Sequence, residues 1–352
     1  MQESIDALFD RIVSEKSLGL TDSESHPNLN GLALRLRNVD NLALNIKFFG
    51  YELARRLAKE LPPRTDLSAA YVGLKSKPST QTDMESDWVA YWCSQLKTPV
   101  VFHRKLWELS YVLQALYDHG HIRKGARALG FGCGQEPIPS YLAAAGVMIT
   151  VTDIPPDRME AAGWAASGQH SASLEQAFRE HLVSREQFER NVNFKFVDMN
   201  EIPESLRNYD FCWSVCALEH IGSIRAGLDF IANSIDTLRP GGLAVHTTEF
   251  NFSNDKETID NWPTVLFQRK HFQQLAADLQ SRGHSVAELD FDVGHKPLDR
   301  FIDLPPFSHD WPEQLRKEWS GDEAHIKISI DGFPATCFGL IVKKGHGGGA
   351  RP

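Results

Sequence analysis

At 352 residues, 42% apolar and 24% charged, the chain has room for one large domain or two modest ones, with the make-up of a globular protein. A formal net charge of −9 argues against a general affinity for nucleic acid, which needs a basic surface. Five cysteines (Cys93, Cys133, Cys212, Cys216, Cys337) include no C-x-x-C pair, so they read as reduced thiols rather than disulfides or a zinc site. No run approaches the ~18 apolar residues of a membrane span, and MQESIDALFDRIVSEK lacks the apolar core of a signal peptide, so the expected location is the cytoplasm.

Residues 1–20 place Ile5, Leu8, Phe9 and Ile12 on one face of a short amphipathic helix. Thr21–Asn30 is a polar loop. Leu32–Leu61 carries a helical period through Leu36, Val39, Leu42, Ile46, Phe49, Leu53 and Leu57, and Pro62-Pro63 stops it. That apolar face is expected to dock on the main domain or on a second copy, so a homodimer through the N-terminal helices is a candidate assembly. The looser stretch Arg64–Asp83 ends an α-helical N-terminal extension, 1–83. Asp87–Tyr117 is aromatic-rich and reads from about Arg104 as a helix leading into the first strand.

Ala126–Leu129 is that strand, followed by a tight turn, Gly130-Phe131-Gly132-Cys133-Gly134. A helical segment, Pro137–Ala145, and a turn at Gly146 lead to a second strand, Val147–Thr152, ending in Asp153. This β-turn-α-β unit has the architecture of a nucleotide-type cofactor site. Beyond it come a helix over Asp157–Ala166, a polar insertion over 168–191, and a strand, Val192–Val197, ending at Asp198. An apolar strand, Tyr209–Cys216, precedes a helix from about Ser223 to Leu238. The turn Arg239-Pro240-Gly241-Gly242 introduces a strand over Leu243–Thr248. A helix over His271–Arg282, capped by Gly283, precedes a strand over Ser285–Asp292. Leu298–Asp322, with Pro305-Pro306, reads as an inserted loop and short helix. His325–Ile330 and Ala335–Val342 flank Asp331-Gly332, a hairpin signal. The alternation predicts an α/β, Rossmann-like doubly wound seven-stranded sheet, mainly parallel, with an antiparallel closing hairpin. That domain is expected over 84–345, with a disordered tail over 346–352.

A dinucleotide turn needs G-x-G-x-x-G, but the third glycine position falls on Gln135 or Pro137, depending on register. The spacing is instead G-x-G-x-G followed by Gln135-Glu136, and an acid beside a pyrophosphate is repulsive. An NAD(P)-dependent oxidoreductase is therefore disfavoured but stays open.

The segments LGFGCGQEP, ITVTD, FVDMN, YDFCWSVCALEHI and LRPGGLAVHT, in that order, resemble the motif series of class I S-adenosyl-L-methionine-dependent methyltransferases over about residues 105–345. LGFG-x-G-x-EP and HTTEFN also resemble methyltransferases associated with glycan and surface-polysaccharide assembly. The resemblance implies S-adenosyl-L-methionine as cofactor. Gly130, Gly132 and Gly134 would line its methionine part, and Asp153 would accept its ribose hydroxyls. Asp198 and Met199 would meet the adenine, and Ser214 and Val215 would contribute mostly backbone. An alcohol acceptor must lose a proton, and the histidine candidates are His220 and His246. The polar cluster His246-Thr-Thr-Glu249-Phe-Asn251 suggests substrate contact. Because residues 246 and 249 point to opposite faces of a strand, no metal is expected. Arg104, Lys105, Asp299, Asp303 and His325 are candidates to complete a polar pocket for a sugar. The expected reaction is methyl transfer to an oxygen of a small molecule or glycan, with a catalytically inactive cofactor-binding module as a further alternative.

Overall fold

The computed structural model describes residues 24, 26–133, 135–155, 174–305, 307 and 321–346. The expected helices over 1–20 and Asp157–Ala166, most of the loop 298–322, Gly134 and nearly all of the tail lie outside the described residues. The chain divides into two compact units, 1–52 with 303–323 and 53–302 with 324–352. Residues 53–83, expected in the extension, therefore group with the second unit.

In the first unit the helix Leu29–Glu60 begins. Asp303 is buried there between Lys47 Nζ and Tyr51 OH, each at 2.7 Å, so the carboxylate has both a counter-charge and a second donor. Leu34, Leu36, Val39, Leu42 and Phe49 of the same helix are exposed. No described helix is long and apolar enough to cross a membrane.

The second unit is built on a sheet. Its strands are β1 (Arg127–Phe131), β2 (Met148–Asp153), β3 (Val192–Phe196), β4 (Tyr209–Val215), β5 (Leu238–Asn251), β6 (Lys327–Ile330) and β7 (Phe333–Lys343). Their order is β3-β2-β1-β4-β5-β7-β6, parallel from β3 to β5 and antiparallel around β7. Two short strands, Lys77–Pro78 and Ser285–Val286, also pair antiparallel with β7. Apart from Arg127 at the start of β1, and Asp210 and Ser214 in β4, these two strands are apolar, and they are almost wholly buried, as strands covered on both faces must be. Helices Ile138–Ala144, Arg185–Asn191 and Ile224–Asp236 make the crossovers between parallel strands. Aromatic side chains fill the space beyond: Phe272 stacks on Phe338 at 4.3 Å, and Phe131 meets Phe230 edge-on at 5.1 Å.

Two expected elements differ. The turn Arg239–Gly242 is absorbed into β5: the pairing jumps from Tyr209↔Leu238 to Phe211↔Leu243, and Gly241 takes φ +77° inside the irregularity. The strand expected over Ser285–Asp292 shortens to two residues. Past it, Ser76 takes over, donating to Glu288 O at 3.0 Å and accepting from Asp290 N at 2.9 Å. These bonds, with the Lys77–Pro78 pairing, tie Ser76 to Pro78 into the sheet.

The order of strands reverses between β1 and β4, so the crevice at their carboxyl ends is where this topology receives a ligand. The opposite edge is closed by Asp210. It accepts from Arg127 N at 2.7 Å and Arg123 Nη2 at 2.9 Å, and it also pairs with Arg239. Asp210→Ala should cost about 1.5–3 kcal/mol in urea unfolding, the worth of hydrogen bonds to a charged group. Ligand affinity at the other edge should be unchanged.

Candidate active site

The glycine turn is made by two close approaches. A Cβ on Gly130 would run into Cys133 Sγ and stand 2.5 Å from Trp213 Cζ2. Gly132 has φ +57°, and a Cβ there would stand 2.8 Å from Ala217 Cβ and 3.6 Å from Met199 Sδ. Only glycine tolerates both the left-handed backbone and that space. The turn is stitched to the end of β2, where Cys133 N donates to Thr152 O at 3.1 Å and Thr152 Oγ1 to Gly130 O at 2.9 Å. Asp153 follows directly. It is buried, and its Oδ1 accepts from Ile154 N at 2.8 Å. Val197 N donates to Asp153 O at 2.9 Å, which sets Asp198 and Met199 beside it, and Asp198 Oδ1 accepts from Asn200 N at 2.8 Å.

Gly130, Gly132, Asp153, Asp198 and Met199 thus converge on one sheet edge. β4 lies next to them and carries Ser214 and Val215, paired with Phe131, His246 and Thr247. This cradle of glycine turn and strand ends, with the Asp153 and Asp198 carboxylates beside it, offers the acceptors that the ribose and adenine of S-adenosyl-L-methionine call for.

Glu136 adds a group that sequence reading treats only as a charge unfavourable to pyrophosphate. Its Oε1 accepts from Trp213 Nε1 at 2.6 Å, the same indole that closes off Gly130. Burial pushes this carboxyl up to about 8, against the lowering effect of that hydrogen bond.

A second polar group forms where the helix Arg104–Asp118 meets the ends of β4, β5 and β7. Arg104 Nη1 pairs with Glu249 Oε1 and lies 3.4 Å from Cys337 Sγ and 3.8 Å from Cys216 Sγ. Glu108 Oε1 accepts from Thr247 Oγ1 at 2.8 Å, and Lys105 Nζ lies 3.4 Å from Glu108 Oε2. Glu219 Oε2 accepts from Thr248 Oγ1 at 3.0 Å. Glu108 Oε2, Glu219 Oε1 and Glu249 Oε2 are buried without a hydrogen-bond partner among the described residues. Burial and the neighbouring Glu249 push the Glu219 carboxyl up to about 7. Burial also acts to raise Glu108, but Lys105 and Arg104 outweigh it and hold that carboxyl low.

Cys216, Glu219 and Glu249 have ligand atoms within 4.8 Å of one another, the spread of a metal cluster. Arg104 already supplies the positive charge there, and burial keeps the Cys216 thiol protonated, so the donor set does not fit a metal.

The two histidine candidates have opposite surroundings. His246 is buried on β5, with Nδ1 2.8 Å from Ser214 Oγ and Nε2 3.0 Å from Ser234 Oγ. Ser234 donates its own proton to Ile231 O at 2.7 Å, so it must accept from His246 Nε2–H, and Nδ1 then accepts from Ser214. Burial lowers this ring to about 3. It therefore stays neutral, with no lone pair to offer a substrate, and the catalytic candidacy of His246 gives way to a structural role.

His220 is only partly covered. Its Nδ1 lies 2.9 Å from Pro263 O, a pure acceptor, so Nδ1 carries the proton and Nε2 is the basic nitrogen. Nε2 lies 3.8 Å from Glu219 Oε1.

Of the other expected pocket residues, Arg104 and Lys105 join the carboxylate group. Asp299 instead accepts from Gln81 N and Lys296 N at 2.7 and 3.0 Å. Asp303 belongs to the first unit. His325 packs on His103 at 4.7 Å, and Asn251 Nδ2 donates to Glu257 O at 3.0 Å.

Residues 106–289 match the family model of the methyltransferase domain. No curated protein matches the chain. Among solved structures, a protein assigned as a sarcosine dimethylglycine methyltransferase from Galdieria sulphuraria is 14% identical, with 74% of this chain and 99% of that one covered, at a TM-score of 0.40. Magnesium protoporphyrin IX methyltransferase from Synechocystis PCC 6803, with bound SAH, is 12% identical over 65% and 80% of the two chains, at 0.37. The [4+2]-cyclase SpnF is 16% identical over 78% and 100%, at 0.41. Likenesses at these scores carry no argument about activity.

Two outcomes follow from the geometry. His246→Ala should destabilise the fold by about 2–4 kcal/mol, through a cavity and two unpaired serines, while ligand affinity at the glycine turn holds. A lost affinity in a folded variant would return His246 to the site. Glu136→Gln keeps the acceptor oxygen for Trp213. Because the folded chain holds the Glu136 proton to higher pH than the unfolded chain does, this group stabilises the fold at acid pH and loses that contribution as pH rises through about 8. The variant should therefore melt above wild type at about pH 9 and near it at about pH 5.

Proposed function

The chain belongs to the methyltransferase-domain family, as a class I S-adenosyl-L-methionine-dependent methyltransferase, and from that premise we propose that it methylates an oxygen of a hydroxyl-bearing small molecule or glycan. When bound, the cofactor supplies an electrophilic methyl group on a sulfonium. Gly130, Gly132 and Gly134 accommodate its methionine part, Asp153 accepts the ribose hydroxyls, and Asp198 with Met199 meets the adenine. Ser214 and Val215 contribute backbone beneath it.

One observation carries the acceptor class. One oxygen each of Glu108, Glu219 and Glu249 is buried next to the cradle without a hydrogen-bond partner among the described residues, and each such group costs about 1–3 kcal/mol while it is unmet. An acceptor rich in O–H donors meets that demand, and a purely apolar one does not. The link to the cradle is covalent and short: Cys216 touches this group, and its neighbour Ala217 packs against Gly132. His220, whose Nδ1 faces Pro263 O and whose Nε2 is the basic nitrogen, is the base for the departing hydroxyl proton, a role worth ~10²–10⁴-fold in rate.

Calorimetry tests the cofactor. S-Adenosylhomocysteine should bind and NADH should not; the reverse would favour the oxidoreductase alternative. Asp153→Ala should weaken the adenosyl ligand by about 2–3 kcal/mol, one charged hydrogen-bond interaction. Mass spectrometry of candidate polyols and glycans incubated with S-adenosylmethionine tests the acceptor, since a true substrate gains the mass of one methylene. Amines gaining it while alcohols do not would overturn the choice of oxygen.

A further inference from the structure

We propose that Glu136 is a specificity-determining residue: held on the Trp213 indole beside Gly130, its carboxyl gives up a proton when the charged cofactor binds, and so favours that cofactor over its demethylated product. The proposal rests on the methyltransferase reading and deepens it.

The backbone brings the group to the turn. Glu136 N donates to Cys133 O at 3.1 Å, which folds the chain back before Pro137 and the helix Ile138–Ala144. Glu136 Oε1 then accepts from Trp213 Nε1 at 2.6 Å. The ring of that indole stands 2.5 Å from where a Cβ on Gly130 would be, and Cys133 Sγ closes the same space. The carboxyl is therefore tied to the wall of the closest approach in the cradle, beside the glycines assigned to the methionine part of the cofactor.

An indole N–H needs only a neutral acceptor. An amide oxygen would serve it as well, without placing an ionisable group at a half-buried position. Burial pushes this carboxyl up to about 8, against the lowering effects of the Trp213 and Cys133 hydrogen bonds. From the helix Arg104–Asp118, Glu108 acts to raise it and Lys105 to lower it. Cys133, its titratable neighbour in the turn itself, is kept a thiol by burial. Glu136 is thus neutral at neutral pH, yet close to losing its proton.

The charge of the ligand tips that balance. S-Adenosyl-L-methionine and its demethylated product differ by one positive charge, on sulfur. A positive charge within ~4–6 Å lowers a carboxyl midpoint by about 1–3 pH units. Glu136 then ionises, its proton passes to water, and the carboxylate adds its attraction to the cation. Methyl transfer leaves the electron pair of the broken S–CH3 bond on sulfur, which becomes neutral. Glu136 takes a proton back from water, and the product lacks the added attraction.

Calorimetry of the full-length protein at about pH 7, in two buffers of different ionisation enthalpy, counts the proton. Wild type should release roughly half a proton or more on binding S-adenosylmethionine, and markedly less on binding S-adenosylhomocysteine. Between about pH 6 and pH 8 the affinity for the first should rise about ten-fold, while that for the second stays within about two-fold. Glu136→Gln keeps the acceptor oxygen for Trp213 and should abolish the excess release and the steeper pH dependence. Whatever the ligands' own amino groups contribute persists in that variant and is subtracted with it. A 13C NMR titration of the Glu136 carboxyl in wild type needs no variant: S-adenosylmethionine should lower its midpoint and S-adenosylhomocysteine should leave it in place. Equal proton release with the two ligands, or a Glu136 midpoint that S-adenosylmethionine does not lower, overturns the proposal and leaves the methyltransferase reading standing. Binding of neither compound to wild type overturns both.

Discussion

β4 and β1 approach so closely that no side chain fits between Gly130 and Trp213, and the rest of the site is arranged around that contact. With the indole held against the glycine, its Nε1–H reaches past the strand to Glu136. The next residue, Ser214, faces the other way and fixes His246 in the core. Two residues further, β4 ends in the left-handed turn at Cys216, which throws Ala217 back onto Gly132 and opens the turn holding Glu219 and His220. One strand thus runs beneath the cradle, holds Glu136 through Trp213 and leads into the turn of Glu219 and His220. The period-two alternation of a strand assigns these tasks to separate faces.

The buried charges are the costly part of this arrangement. Isolated, each of Glu108, Glu219 and Glu249 would be strongly unfavourable in the interior. Arg104 and Lys105 come from the helix that precedes β1, so the helix is locked to the sheet ends by charge as well as by its apolar face. The pairing is incomplete: among the described residues each carboxylate keeps one oxygen without a hydrogen bond. Stability alone would favour filling those positions with apolar groups. In the proposed reading, an acceptor rich in O–H donors has a use for them.

Much of the frame is legible in the residues themselves. The alternation of apolar strands and helices leads to the doubly wound sheet, and the glycine turn with Asp153 lies where a cofactor edge should be. Elements set by distant partners are not legible. Nothing local tells that Arg104 meets Glu249, 145 residues on, or that Ser76 would cap the end of the Ser285–Val286 strand. His246 and Glu249 can be placed on opposite strand faces from spacing alone. Which face meets Ser234 and which meets Arg104 depends on helix packing, and so His246 reads as a site residue until its neighbours are known. Glu136 is visible in the sequence, but its role depends on an indole 77 residues away.

The central claim is that the β1–β4 crevice holds an adenosyl cofactor with its reactive end at the Glu219–His220 turn. A crystal structure with S-adenosylhomocysteine addresses it most directly. The account predicts the ribose on Asp153, the adenine beside Asp198 and Met199, and the sulfur over the Gly132–Ala217 contact, facing His220. Ligand density elsewhere, or with its sulfur turned away from that turn, would contradict it.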